Sequence, residues 1–146
     1  MTTVTAVLDA IDERKPNLPD TYKHNLLFFC QGHHLATYGV PMFTEPLHAT
    51  PAGATLIALH PDDDSKLSKK ALALVGWMMH RYGEVFPVDL RSLVTVSTAW
   101  QRACSGSDNR IEQAWLTEWF SRPDELSHEG RIAVAGIGEI MATGRA

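Results

Sequence analysis

The sequence predicts a mainly α protein: a single compact helical domain of about five to seven helices, with a small irregular or two-stranded β insert after the central helix. Apolar residues recur with a helical period in several segments, and glycines or prolines close these segments. The period is lost between Val40 and Leu59, where three prolines and Gly53 interrupt the chain. The length of 146 residues is that of one domain.

The first predicted helix has one apolar face, because Val4, Val7, Leu8 and Ile11 follow the i, i+3, i+4, i+7 spacing. Pro16 lies beyond this face and ends the helix.

The second predicted helix begins at Asp20 or Thr21, either of which can serve as N-cap, and runs to the residue before Gly39. Gly39 tolerates a positive φ, and Pro41 prevents the helix from continuing. Residues Leu26 to Cys30 are apolar on every side of the helix. We therefore interpret it as the central helix of the domain.

Two short strands, Leu47–Thr50 and Thr55–Leu59, are predicted in the insert. The acidic residues 62–64 and Ser65 then precede a helix that begins near Lys66 and ends at Gly83, since acidic and capping groups favour a helix N-terminus. The apolar stripe of this helix consists of Leu67, Ala71, Leu74, Val75, Met78 and Tyr82.

Three shorter helices complete a domain that spans residues 1–120. The first follows Pro87, the second is capped by Ser97 or Thr98, and the third ends before Pro123. Their apolar and aromatic residues are Leu90, Leu93 and Val94, then Trp100, then Ile111, Trp115 and Trp119. Residues 121–146 fit neither period and form a C-terminal extension that we expect to pack on the same domain.

Composition limits the kinds of partner and compartment. A formal net charge of −4 argues against direct nucleic-acid binding, which needs a surplus of Lys and Arg. The two cysteines are too few for a disulfide framework, and no apolar run reaches the about 18 residues of a membrane helix. We expect a cytoplasmic protein with no membrane partner.

The sequence predicts no metal, cofactor or catalytic residue, and hence no enzyme. None of the seven histidines forms a His-x-x-x-His pair, which would place two ligands on one helix face. Cys30 lies in an apolar stretch, where a raised thiol pKa makes it a poor nucleophile. An enzyme or metal site would need His24, His34, His48 or His80 to converge from distant segments, and this alternative stays open.

One aromatic residue suggests a contact surface. Trp77 lies beside the apolar stripe of its helix, on a flank that it shares with Lys70 and Arg81. An exposed Trp next to cationic side chains is typical of an interface hot spot, whereas packing at the edge of the core is the more ordinary interpretation.

The segment from Asn25 to Ala49 closely resembles the opening of the Panacea domain. The residues in register are Gln31, Gly32, His34, Leu35, Tyr38, Gly39, Pro41, Phe43, Glu45 and Pro46. A second block agrees in order, with Tyr82 and Gly83 at a helix end, then a short Leu-rich helix, then Trp100. The resemblance spans roughly Leu8 to Phe120.

The resemblance implies an antitoxin of a bacterial or phage-associated two-gene toxin–antitoxin system, which neutralises a cognate toxin by direct protein contact. Some relatives act instead as proteolytic adaptors for a Clp-type protease, so an adaptor or a phage-encoded interaction protein is the alternative. The matched residues suit structural roles. A buried Gln31 needs hydrogen bonds, for which the insert backbone is the candidate partner, and Gly32 lets another element approach the helix closely.

The insert departs from the family pattern. Thr50-Pro51-Ala52-Gly53-Ala54 keeps the family glycine but lacks its two aromatics and its proline. We expect partner choice to depend on this region. The predicted partner-binding residues are Trp77, Lys70, Arg81, His48, Thr50, Pro51 and Ala52.

Overall fold

The computed structural model describes residues 3–57 and 66–122, which form six α-helices and a two-stranded antiparallel sheet. The helices are α1 (Val4–Arg14), α2 (Asp20–Tyr38), α3 (Lys69–Tyr82), α4 (Pro87–Thr95), α5 (Thr98–Cys104) and α6 (Gln113–Phe120). The strands β1 (Leu47–Thr50) and β2 (Gly53–Leu56) form a hairpin after α2. The predicted mainly α class with a small β insert is confirmed. None of the described helices combines the length and the apolar content needed to span a membrane.

The centre of the domain is α2, as the sequence predicts. It packs against α1, α3, α4, α6 and β2, and Leu26–Cys30 are buried because these neighbours surround them. Pro19, not Asp20, occupies the N-cap position. At the other end Gly39 adopts a φ of +77° and its amide bonds to the Leu35 carbonyl, which closes the helix at the predicted residue.

The hairpin begins at the predicted residue. Leu47 pairs with Leu56 and Thr50 with Gly53, so β2 begins two positions earlier than expected. Residues 58 and 59, which the sequence assigned to this strand, lie outside the described residues. A third segment runs along the other edge of β1, where the Ile111 amide donates to the Leu47 carbonyl at 2.9 Å.

The start of α3 differs from the prediction. The helix begins at Lys69, and its cap is Ser68, whose hydroxyl accepts a hydrogen bond from the Ala71 amide. The expected start near Lys66 is therefore wrong, while residues 62–65 lie outside the described residues. The apolar stripe is confirmed from Ala71 to Tyr82, with Leu67 partly buried ahead of the helix.

The predicted cap of α5 is confirmed, because the Ser97 hydroxyl accepts from the Trp100 amide. The buried face of α6 is not the predicted one. Leu116 and Phe120 are buried, whereas Trp115 and Trp119 are only partly buried. Ile111, which belonged to the predicted apolar face, precedes the helix and pairs with β1. The helix itself therefore packs through Leu116 and Phe120. Of the predicted C-terminal extension, residues 123–146 lie outside the described residues.

Candidate functional site

Gln31 joins the central helix to the loop that follows it. Its side chain is 3% exposed, its Nε2 donates to the Phe43 carbonyl at 2.7 Å, and its Oε1 accepts from the Met42 amide at 2.8 Å and the Phe43 amide at 3.3 Å. A glutamine amide thus satisfies the backbone of a segment that has no strand or helix partner of its own. The expectation for Gln31 is confirmed.

The next helical turn holds the same loop through His34. Its Nδ1 lies 2.7 Å from the Val40 carbonyl, and because a carbonyl only accepts, Nδ1 carries the proton. Burial lowers the pKa of His34, the Val40 bond partly opposes this shift, and nearby Lys70 adds to it. Lys70 also lies over the Tyr38 ring, with Nζ 5.3 Å from the ring centroid.

Gly32 marks a close crossing of α2 and α6. A Cβ at this position would overlap the ring of Phe120, so only glycine admits the ring so near the helix backbone. The ring also packs against Phe28, with centroids 5.5 Å apart. The predicted close approach at Gly32 is confirmed, and the approaching element is α6.

Glu45 is a buried carboxylate at the start of α1. Its Oε2 accepts a hydrogen bond from the Val4 amide at 3.1 Å, and Val4 is the first residue of the helix. The positive end of the helix dipole favours a negative group there. Glu45 therefore holds α1 against a loop that is distant in sequence, at a helix end where the N-cap residue Thr3 makes no side-chain capping hydrogen bond.

Two side chains hold the hairpin turn. Asn25 donates to the Ala52 carbonyl at 3.0 Å and accepts from the Ala54 amide at 2.8 Å. Trp100 Nε1 donates to the Gly53 carbonyl at 2.8 Å and to the Thr50 carbonyl at 3.2 Å. Gly53 has a φ of +115°, a backbone conformation that favours glycine.

The other matched residues contribute to the core or to its turns. Leu35, Phe43 and Tyr82 are buried, Pro41 is partly buried, and Pro46 is exposed. Gly83 ends α3 at the predicted residue, and its amide bonds to the Met79 carbonyl.

Trp77 is buried, so the interpretation as an exposed hot spot is wrong and packing at the edge of the core is confirmed. Its side chain is 9% exposed and packs edge-on against His33, with centroids 4.8 Å apart. The physical reason is that α3 packs against both α1 and α2, so its buried face is wider than a single apolar stripe. His33 in turn lies 2.9 Å from the Tyr82 hydroxyl.

The predicted partner-binding residues fall into two separate groups. Arg81 lies over the Trp77 ring at 5.7 Å, and Lys70 is exposed near the start of the same helix. The residues of the second group, His48, Thr50, Pro51 and Ala52, lie on the hairpin, which packs against α2, α4 and α5. The shared neighbour of α3 and the hairpin is α2.

An exposed apolar surface on and around α4 was not predicted. Among the described residues, four of the seven exposed large hydrophobic side chains lie between positions 86 and 96, namely Phe86, Val88, Leu93 and Val96. The core side of α4 is formed by Leu90 and Val94. A sequence signal existed, because Val88 is two positions before Leu90 and such positions face opposite sides of a helix.

Burial shifts the pKa of two further titratable groups, His24 and Cys30. His24 accepts the Leu56 amide at Nδ1, 3.3 Å away, and burial lowers its pKa. Burial raises the pKa of Cys30, as its apolar surroundings predict. Within residues 3–57 and 66–122, no three His, Cys, Asp or Glu side chains come together as a possible metal site. The buried Nδ1 of His48 has no hydrogen-bond partner there.

No family model, curated protein or solved structure matches this chain.

Proposed function

We propose that this protein is an antitoxin of the Panacea type, which neutralises the toxin of its own two-gene system by direct protein–protein binding. The observation that carries the proposal is the part that the matched residues play in the fold. Gln31 joins α2 to the following loop, Gly32 admits α6, and Glu45 holds α1. Residues that define a family scaffold are expected to have such roles.

Binding of another protein is further supported by the surface of α4. Large apolar side chains that gather in one exposed segment are typical of interaction sites, whereas single exposed ones are ordinary. Phe86 is 73% exposed and Val88 is 57% exposed. Val88 lies across a groove from Ala52, in the hairpin turn that departs from the family pattern.

Co-expression with the product of the neighbouring open reading frame tests the proposal. Growth is measured with the neighbour alone, with both proteins, and with a copy of this gene that carries an early stop codon. We expect arrest by the neighbour alone, relief by the intact gene only, and a complex that survives purification. A harmless neighbour, or an arrest that the intact gene does not relieve, would contradict the proposal.

The amount of toxin separates a neutralising antitoxin from an adaptor. An antitoxin that acts by binding leaves the toxin level unchanged in cells with and without the Clp protease. An adaptor lowers the toxin level only where the protease is present, and this result would replace direct neutralisation by targeted degradation.

A further inference from the structure

A groove runs between α2, the hairpin turn and α4. The residues that line it include Thr21, Tyr22, Asn25, Ala52, Val88 and Arg91. Its volume of about 270 Å³ is below the about 300–1,000 Å³ of small-molecule pockets. A groove of this size fits one or two protruding side chains of another protein better than a cofactor.

The walls of the groove are held in place by their own residues. Tyr22 donates from its hydroxyl to the Tyr82 carbonyl at 2.9 Å and to the Val85 carbonyl at 2.6 Å, which fixes the chain just ahead of α4. Asn25 holds Ala52 in the turn through the bonds described above. A groove that exists before binding loses little conformational freedom when a partner enters it.

The chemistry of the lining indicates what the groove accepts. Val88 supplies an apolar wall, and exposed Phe86 immediately precedes α4. Arg91 is the one charged side chain among the described lining residues, and it forms no ion pair with any described residue. Guanidinium groups bind carboxylates with two parallel hydrogen bonds. Charge complementarity therefore favours a carboxylate next to an apolar side chain.

We propose that this groove is the docking site for the toxin and that it takes an apolar side chain of the toxin with Arg91 pairing an adjacent carboxylate. This assignment rests on the proposed antitoxin function. The proposed contact surface thus lies at α4 and not at Trp77. It includes Ala52, one of the partner-binding residues predicted from the sequence.

The chemistry of the groove can be tested without the toxin. N-acetyl-leucine, which carries a carboxylate, and N-acetyl-leucinamide, which does not, are titrated into the protein by heteronuclear NMR. We expect saturable shifts of the Ala52, Val88 and Arg91 amide resonances, with the acid binding about threefold more tightly, as for one exposed ion pair. Arg91→Glu should remove this preference. Absence of binding, or equal binding of both probes, would overturn the assignment.

The use of the groove by the toxin is tested with variants in the co-expression and binding assays. Val88→Asp and Arg91→Glu should each weaken toxin binding about tenfold or more, as expected at an interface hot spot. Both positions are exposed, and Val88 lies in the first turn of α4, where an acidic group suits the helix dipole, so folding should persist. The matched controls are Val40→Asp, at an apolar position 54% exposed, and Lys69→Glu on α3.

The outcomes separate the two proposals. If the wild-type protein binds the toxin and the groove variants bind equally well, the groove assignment fails while the antitoxin function stands. If the wild-type protein neither binds nor neutralises the neighbour, the antitoxin function and the toxin as occupant fail together. The titration with the acid and the amide still decides the chemistry of the groove.

Discussion

Replacing Gln31 by Met tests whether the hydrogen bonds of its side chain hold the loop that follows α2. Methionine has a similar length and shape but makes no comparable hydrogen bonds. The change leaves the Met42 amide and the Phe43 carbonyl buried beside an apolar side chain, where the Gln31 amide now bonds to both at 2.8 and 2.7 Å.

The magnitude follows from these two groups, because the third group bonded to Gln31, the Phe43 amide, makes a longer and weaker bond of 3.3 Å. A buried backbone group without a partner costs about 1–3 kcal/mol, so the variant should lose about 2–6 kcal/mol of unfolding free energy. Domains of this kind have a total of about 5–15 kcal/mol, so the loss is a large share of the stability.

Urea denaturation followed by circular dichroism measures this loss. The matched control is Gln113→Met, a glutamine exposed at the start of α6, which should change stability by less than about 0.5 kcal/mol. The midpoint should fall for Gln31→Met at an unchanged slope. Equal midpoints for the two variants would refute the view that Gln31 holds the loop.

Three further predictions concern stability. Glu45→Ala should cost about 1.5–3 kcal/mol, because the first amide of α1 loses a charged acceptor, whereas Glu13→Ala on the exposed side of the same helix should be neutral in urea melts; equal effects would contradict the capping role. Trp77→Ala should cost about 3–5 kcal/mol of unfolding free energy in the same melts, because the side chain is buried. A near-neutral result would contradict this burial. His24 and His34 have folded pKa values below the ordinary 6.5, so the unfolded chain binds more protons just below that value and stability should fall as the pH falls. Replacing both by Gln should flatten the decline in unfolding free energy between about pH 7 and about pH 5, and an unchanged decline would contradict it.

Local chemistry decides those parts of the structure that the sequence predicts correctly. Gly39 and Pro41 determine the end of α2 through their backbone preferences alone. The hydrogen-bonded state of Gln31 was predictable because a buried amide must find partners and the nearest unpaired backbone follows it in the chain. The Ser97 cap is equally local.

Contacts between residues distant in sequence decide those parts of the structure that the sequence does not predict. The helical period shows how wide an apolar stripe is, but not how many elements pack against the helix. Two helices, α1 and α2, pack against α3, and Trp77 is buried for this reason. Ile111 has helical spacing to Trp115, yet its amide pairs with Leu47 instead. Glu45 lies 41 positions from Val4, and no local pattern signals that bond.

The apolar residues of α4 show a second limit. Their number predicts a helix that packs, and Leu90 and Val94 do pack. Which apolar residues remain exposed depends on where the neighbouring elements end. Phe86 and Val88 are not covered by those elements and remain exposed. The groove next to them is formed by three elements that are separated in the chain. Of its lining residues, the sequence therefore predicted only Ala52 as partner-binding.

The coverage of the hairpin has a consequence for self-association. Residues 109–111 lie along β1, and His24 and Asn25 accept amides on the outer side of β2. Unpaired strand edges are templates for intermolecular β-pairing and aggregation. Since residues 109–111 lead directly into α6, partial unfolding that releases α6 would also uncover β1. The packing of Phe120 at Gly32 thereby also protects the chain from aggregating through β1.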